Sequence, residues 1–282
     1  MEMFVAVKFV IFIGALASLS DAFQTCPGHK HYEELKCTPI RDKPDDKCPS
    51  RYECPDFKAL DRSVCHLNGK KYNIGNNVST SLPTCTKSCS CDGAEDEFGF
   101  SCEFDECAEA KDKPKLHCAY QFTIDSCCST NTVCDKDEID KLHRCWHNGH
   151  QFVEGNLIYP TNAPCYKCLC DKNYDNNTDV SESKSCKPVD CGIELHQLNY
   201  LQLGCIPVYF DDGLCCPFEF KCPIETDLIE EIGVKSEHVC KYADRSLNIG
   251  DKIKTADQCL ECSCEVPPMA QCIRTITTEK CH

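Results

Sequence analysis

Twenty of the thirty cysteines in this 282-residue chain fall into one register that occurs twice. From Cys65 it runs through Cys85, Cys89, Cys91, Cys102, Cys107, Cys118, the adjacent Cys127 and Cys128, and Cys134. From Cys145 it runs through Cys165, Cys168, Cys170, Cys186, Cys191, Cys205, the adjacent Cys215 and Cys216, and Cys222. A register kept over this length marks a repeated unit, and it has to be recognised before single residues are interpreted. Other positions keep the same phase. Gly69 and Gly149 follow the opening cysteine by four residues, Tyr72 and Phe152 by seven, and Gly75 and Gly155 by ten. A third opening at Cys240 places Leu247 and Gly250 at the last two offsets and Asp244 at the first. Glycine at fixed offsets between short apolar positions reads as strands joined by tight turns that need positive φ. The openings are therefore predicted to be small antiparallel β units.

The amino terminus predicts the compartment. The run Phe9 to Leu19 is apolar and eleven residues long, too short to cross a hydrocarbon core of about 30 Å and suited to the centre of a secretory signal. Ser20 and Ala22 supply small residues at the positions a signal peptidase reads, so residues 1–22 are expected to be a signal peptide cleaved after Ala22. No other apolar stretch approaches spanning length, and the mature chain is expected to be secreted, extracellular and without membrane insertion. Export into an oxidising compartment favours cystines over zinc thiolates. Cysteine exceeds a tenth of the mature chain, the level of a disulfide scaffold. Units of about 70 to 80 residues are near the size at which an apolar core alone is marginal. Closing a loop of about 20 residues contributes on the order of 3 kcal/mol in the chain-entropy model, so disulfides are expected to carry much of the stability. Without Glu2, Asp21 and Lys8 the chain keeps 43 acidic and 29 basic residues, a net charge of −14. That sign argues against nucleic acid or an anionic membrane surface as partner and favours a cationic protein face.

Several motifs together resemble a known family. A Cys-x-x-Cys-x-Cys segment occurs at Cys165, Cys168, Cys170 and again at Cys259, Cys262, Cys264. An adjacent cysteine pair stands late in each unit, ten cysteines make up the unit, and the opening reads Gly-x-x-aromatic-x-x-Gly. This set resembles the von Willebrand factor type C (VWC) domain of chordin-like proteins and fibrillar procollagen propeptides. Two features depart from the family: the first segment is spaced Cys85, Cys89, Cys91, and the last gap, Cys128 to Cys134 or Cys216 to Cys222, holds five residues where the family usually has two. The resemblance implies a small disulfide-rich, mainly β protein, a string of VWC-like units of short antiparallel strands. Residues 23–61 form a partial back half, 62–140 and 141–230 complete units, and 235–282 a partial front half.

The family pairs the first cysteine with the fourth, second with eighth, third with fifth, sixth with ninth and seventh with tenth. The resemblance then implies Cys65–Cys91, Cys85–Cys127, Cys89–Cys102, Cys107–Cys128 and Cys118–Cys134, followed by Cys145–Cys170, Cys165–Cys215, Cys168–Cys186, Cys191–Cys216 and Cys205–Cys222. Cys26, Cys37, Cys48 and Cys54 match the sixth, seventh, ninth and tenth positions, with Lys47 at the eighth, and imply Cys26–Cys48 and Cys37–Cys54. At the other end Cys240–Cys264 and Cys262–Cys272 follow, leaving Cys259 for Cys281. Linkers of ten residues, Pro55 to Val64 and Asp135 to Arg144, suit a stiff string rather than one globule. Pro223 to Val239 reads as an extended linker, since Gly233 interrupts the alternative of a short amphipathic helix.

Other residues have plainer readings. His143, His147 and His150 bracket Cys145, but in a β context i, i+4 spacing does not align side chains, so they read as packing or solvated residues. Asp92, Glu95, Asp96, Glu97, Glu103, Asp105 and Glu106 contain no Asp-x-Asp-x-Asp-Gly calcium loop and read as a solvated face. No cofactor or metal is expected. No Gly-x-Ser-x-Gly elbow, His-Glu-x-x-His helix or phosphate loop occurs, so no catalysis is expected. The expected function is binding of an extracellular protein, and the resemblance to chordin-like proteins implies a growth factor of the bone-morphogenetic (BMP) or transforming-growth-factor-β (TGF-β) class. The alternative is a disulfide-armoured venom, salivary or cuticle-associated product or protease inhibitor. Candidate partner-binding residues are Phe98 and Phe100 in the first complete unit and Leu157, Ile158 and Tyr159 in the second. The only N-glycosylation sequons are at Asn77 and Asn176. Secreted material should begin at Phe23 and lose mass on glycosidase treatment, as read by terminal sequencing and mass spectrometry; an unchanged mass removes the glycans.

Overall fold

The computed structural model describes residues 26, 29–94, 97–111, 117–210, 215–275 and 281. The signal-peptide residues, Phe23, Glu95 and Asp96 lie outside them. The amino-terminal stretch folds as helix α1 (His29–Glu34) and the hairpin of β1 (Thr38–Ile40) and β2 (Arg51–Glu53). The first complete unit opens with the hairpin β3 (Cys65–Leu67) and β4 (Lys70–Tyr72), then the sheet β5 (Asn77–Val78), β6 (Thr86–Ala94) and β7 (Glu97–Phe104). Its back half is helix α2 (Ala108–Lys111) and the hairpin β8 (Ala119–Gln121) and β9 (Asn131–Val133).

The same order returns in the second unit. A linker helix α3 (Lys136–Ile139) leads to the hairpin β10 (Arg144–His147) and β11 (His150–Val153), then the sheet β12 (Leu157–Ile158), β13 (Tyr166–Leu169) and β14 (Cys186–Pro188). Its back half is helix α4 (Ile193–Gln202) with β15 (Ile206–Tyr209) and β16 (Glu219–Lys221). After β17 (Leu228–Glu230) the carboxy-terminal front half repeats the hairpin as β18 (Cys240–Tyr242) and β19 (Arg245–Leu247), followed by β20 (Lys252–Lys254), β21 (Leu260–Ser263) and β22 (Gln271–Arg274).

Local chemistry explains the repetition. The opening hairpins of the two complete units turn on Asn68-Gly69 and Asn148-Gly149, all at positive φ, the two-residue turn whose twist matches that of its strands. Ten residues after each opening cysteine, Gly75, Gly155 and Gly250 have φ of 81°, 89° and 95°. Their N–H groups donate to the carbonyls of Cys91, Cys170 and Cys264, each at 2.8 Å. Those cysteines are bridged back to Cys65, Cys145 and Cys240. Each front half is thus one turn held on both sides, by a cystine and by backbone hydrogen bonds.

Fifteen disulfides join the described residues, each within one unit or half. The amino-terminal half holds Cys26–Cys48 and Cys37–Cys54. The first complete unit holds Cys65–Cys91, Cys85–Cys127, Cys89–Cys102, Cys107–Cys128 and Cys118–Cys134. The second holds Cys145–Cys170, Cys165–Cys215, Cys168–Cys186, Cys191–Cys216 and Cys205–Cys222. The carboxy-terminal half holds Cys240–Cys264, Cys259–Cys281 and Cys262–Cys272.

The expected string is corrected by the packing. Helix α4 carries Ile193, Leu195, Leu198 and Leu201, all buried, and residues of the other units and halves pack over them. Ile193, Leu198 and Leu201 cluster with Tyr32, Leu35 and Tyr52 of the amino-terminal half, and Val266 and Met269 of the carboxy-terminal half pack on the same cluster. Leu195 packs instead with Leu67, Val78 and Cys89 of the first complete unit. Gly192 offers no side chain to cap the helix. The Glu34 carboxylate of α1 does so, accepting the N–H groups of Cys191 and Ile193 at 2.6 and 3.2 Å. Burial raises the Glu34 pKa even though those donors and Lys30 pull it down. The Tyr32 hydroxyl donates to the Val266 carbonyl at 2.6 Å, and the Tyr52 N–H to that of Pro267 at 2.9 Å. The two ends of the chain therefore meet over α4.

A six-stranded sheet, β16-β15-β22-β21-β20-β17, fuses the back half of the second unit with the carboxy-terminal half. β15 and β22 pair in parallel, Val208 opposite Cys272. The expected linker is extended, yet its residues Leu228–Glu230 are a strand paired with β20. Asp227 locks this joint. Its fully buried carboxylate accepts from Lys221 Nζ at 2.7 Å, the Tyr242 hydroxyl at 2.5 Å and the Ile224 N–H at 3.0 Å. Burial opposes the charge, but these donors outweigh it and hold the Asp227 pKa below the usual carboxylate value. A depressed pKa gives stability that is present above the unfolded value near ~4 and lost as pH falls through the folded one. Asp227→Ala strands Lys221 and Tyr242 and should cost about 3 kcal/mol, read as a lower first unfolding transition at pH 7. That difference should shrink below about pH 4.

Candidate binding groove

An open apolar groove of about 720 Å³ lies where the back half of the first complete unit meets the front half of the second. Tyr120 and Phe122 line it from the β8–β9 hairpin, Ile139 from α3, and Phe152, Leu157 and Tyr159 from the second unit. The wall is set by a close approach at Gly155. The Phe122 N–H donates to the Gly155 carbonyl at 2.7 Å. Asn156 Nδ2 donates to the Tyr120 carbonyl and Gln121 Nε2 to that of Glu154, both at 3.1 Å. A Cβ on Gly155 would lie 2.6 Å from the Gln121 Cβ, so only glycine admits the hairpin. Asn156 also accepts the Val153 N–H at 3.0 Å, which fixes the amide that reaches Tyr120. Phe152 is anchored on the cluster of Cys145, Cys168 and Cys170 beneath the groove.

The walls are apolar and held by cystines on both sides, Cys118–Cys134 and Cys145–Cys170. Charge sits away from the floor: Lys187 pairs with Asp125 at 2.7 Å on the exposed side of the same junction. Burial lowers the pKa of Lys167 on β13, with Asp125 opposing that effect. An arrangement of this kind supplies shape and apolar contact area.

The predicted contact residues divide. Leu157 and Tyr159 line the groove, and Tyr159 stands 64% exposed at its edge. Ile158 is corrected: it is 1% exposed and packs among Cys145, Cys168 and Cys170, because alternate residues of a strand face opposite sides. Phe98 and Phe100 are corrected as well. Both line a crevice of about 10 Å³ closed by Glu194, Leu195 and Leu198 of α4. Phe100 meets Tyr72 edge-on at 5.6 Å, so the chain's own helix occupies what they present. Sequence reasoning missed Tyr120, Phe122, Ile139 and Phe152. No signal in the sequence marked them, since the phase-locked glycine at 155 recurs at 75 and 250 and positive φ alone accounts for it.

His147 is buried, its Nδ1 2.7 Å from the Tyr174 hydroxyl, while His150 across the hairpin is exposed and His143 donates its N–H to Glu154. Asp92, Glu103, Asp105 and Glu106 are exposed, and Glu106 pairs with Lys111. Among the described residues the clusters with metal-ligating geometry are Cys107, Cys127, Cys128 and Cys191, Cys215, Cys216, whose sulfurs are all in disulfides. Asn77 and Asn176 are exposed.

The chain matches no protein-family model, no curated protein and no solved structure. The fold itself defines a small disulfide-rich protein, mainly antiparallel β with few helices and repeated units. Gly155→Ala drives a Cβ into Gln121 at a backbone conformation that disfavours it. It should lower stability by about 1–3 kcal/mol, whereas Gly75→Ala, which meets none of the described residues, should lower it less; thermal unfolding of the two variants checks this.

Proposed function

We propose that the chain is an exported, non-catalytic binding protein of VWC-like units that captures an extracellular protein in the groove beside Tyr159. The open apolar groove between two cystine-clamped units carries this reading. Rigid walls lose little conformational freedom on binding, and aromatic side chains such as Tyr120, Phe122 and Tyr159 are the type that concentrates binding energy. The density of cystines suits an extracellular compartment, and among the described residues no helix is long and apolar enough to cross a membrane.

The proposed partner is a dimeric growth factor of the BMP or TGF-β class, on the strength of the cysteine register and its resemblance to chordin-like proteins. The chain's net charge of −15 with its amino-terminal segment, or −14 without residues 1–22, adds attraction to a cationic face, which speeds encounter more than it tightens the complex.

Immobilised mature protein should capture such a dimer at micromolar concentration or below. Tyr159→Ala and Leu157→Ala should each weaken capture about tenfold, or about 1.4 kcal/mol, with the non-reducing disulfide map unchanged. Trp146→Ala, an exposed aromatic outside the groove, should leave capture intact. Absence of capture at micromolar concentration overturns the growth-factor reading in favour of an armoured gland product or protease inhibitor.

A further inference from the structure

The three equivalent glycines sit in one turn but are covered differently. In each, the residue two before the glycine has its N–H accepted by a side chain three residues on: Asn73 by Asn76, Val153 by Asn156 and Asn248 by Asp251. The following cysteine N–H returns to the carbonyl of Asn76, Asn156 or Asp251 at 2.9, 2.9 and 3.0 Å. The backbone face is therefore the same three times. At Gly155 it is covered by the β8 edge of the preceding back half, through Phe122, Tyr120 and Gln121. At Gly250 it is covered by Gly233, whose Cα lies 3.2 Å from where a Cβ would be, and by Val234 bridging to Ile249. At Gly75 no described residue lies within 4 Å of that point, and Ile74 beside it is 57% exposed.

The complementary edge is also open. Back halves use the outer edge of their first strand: β8 against the Gly155 turn, and β15 against β22 in parallel. In the amino-terminal half the equivalent strand is β1, and among the described residues it pairs with β2 alone. Three residues after Cys37, as three after Cys118, come the positions in question. Ile40 corresponds to Gln121, Pro39 to Tyr120 and Arg41 to Phe122. Ser50 donates its N–H to the Ile40 carbonyl as Thr130 does to that of Gln121, at 2.9 and 2.7 Å. The linkers agree too, with Cys54 to Cys65 and Cys134 to Cys145 both eleven apart. Yet the amino-terminal half is turned away from Gly75, held on α4 by Tyr32, Leu35 and Tyr52.

We propose that the Gly75 face receives the β1 edge of a second copy of this chain, reproducing between molecules the junction that Gly155 makes within one. The Arg41 N–H donates to the Gly75 carbonyl, Asn76 Nδ2 to the Pro39 carbonyl, and Ile40 packs over Gly75 beside Ile74. Each contact joins one surface to a different one, and two copies that exchange edges reciprocally about a two-fold axis close as a dimer that makes the contact twice. The proline in β1 fits this use, since the role of Tyr120 at the matching position requires a carbonyl and no N–H. The occupant is a second copy because this chain alone is shown to hold both halves of the contact.

Asn77, a sequon two residues from Gly75, would place a glycan at the rim, so the experiment uses the full mature chain with Asn77→Gln. Sedimentation velocity from about 1 to 100 µM should show concentration-dependent dimers. Ile74→Glu and Ile40→Glu should each weaken association at least tenfold. An equimolar mixture of the two should associate again, because each variant keeps the surface the other has lost. A chain that stays monomeric overturns the proposal, and so does association that neither variant weakens. Failure of the mixture to recover overturns the pairing of the Gly75 face with the β1 edge.

Discussion

Everything in this molecule hangs on loops closed by cystine around turns that need glycine. In each front half the bridge from the opening cysteine to the last cysteine of the Cys-x-Cys segment sits beside a backbone pair joining the glycine turn to that same segment. Bridges of this span remove loop-closure entropy from the unfolded chain, worth on the order of 3 kcal/mol each in the entropic model. Strands of two to four residues, which are twenty of the twenty-two described, could not hold together on ladder bonds alone. The cystines set where each turn lies, and the turns present carbonyls and side chains to whatever packs next.

What packs next is the rest of the chain. Small cystine units leave apolar residues that they cannot cover themselves, and α4 gathers those of three other segments onto one helix. The price is polar groups taken out of water, and three acids among them meet donors: Glu34 caps α4, Asp227 gathers Lys221 and Tyr242, and Asp251 accepts from Gly233 and Asn248. In both aspartates burial opposes the charge and the donors overcome it. The groove beside Tyr159 is a product of the same economy of surface, formed beside the close approach of two units at Gly155.

Much of this was legible in the cysteine and glycine positions. The repeated register, the hairpin at each opening and the mainly β character follow from spacing and turn chemistry, and the bridges run within the units that the register marks out. Contact residues were harder to read. Leu157 and Ile158 are neighbours of equal hydrophobicity, but strand alternation sends one to the groove and the other to the core. Phe98 and Phe100 looked free because the helix covering them lies about a hundred residues further on.

The sequence by itself determined which short segments form turns and hairpins, because loop length, glycine and asparagine act over a few residues. Only the tertiary structure decided which faces meet. α4 on the amino-terminal half, β15 beside β22 and the Gly155 junction depend on apolar and hydrogen-bonding surfaces matching in shape across long separations. Nothing in local spacing encodes that match. The unoccupied turn at Gly75 is the clearest instance, for its sequence signal is shared with Gly155 and Gly250 and only packing sets it apart.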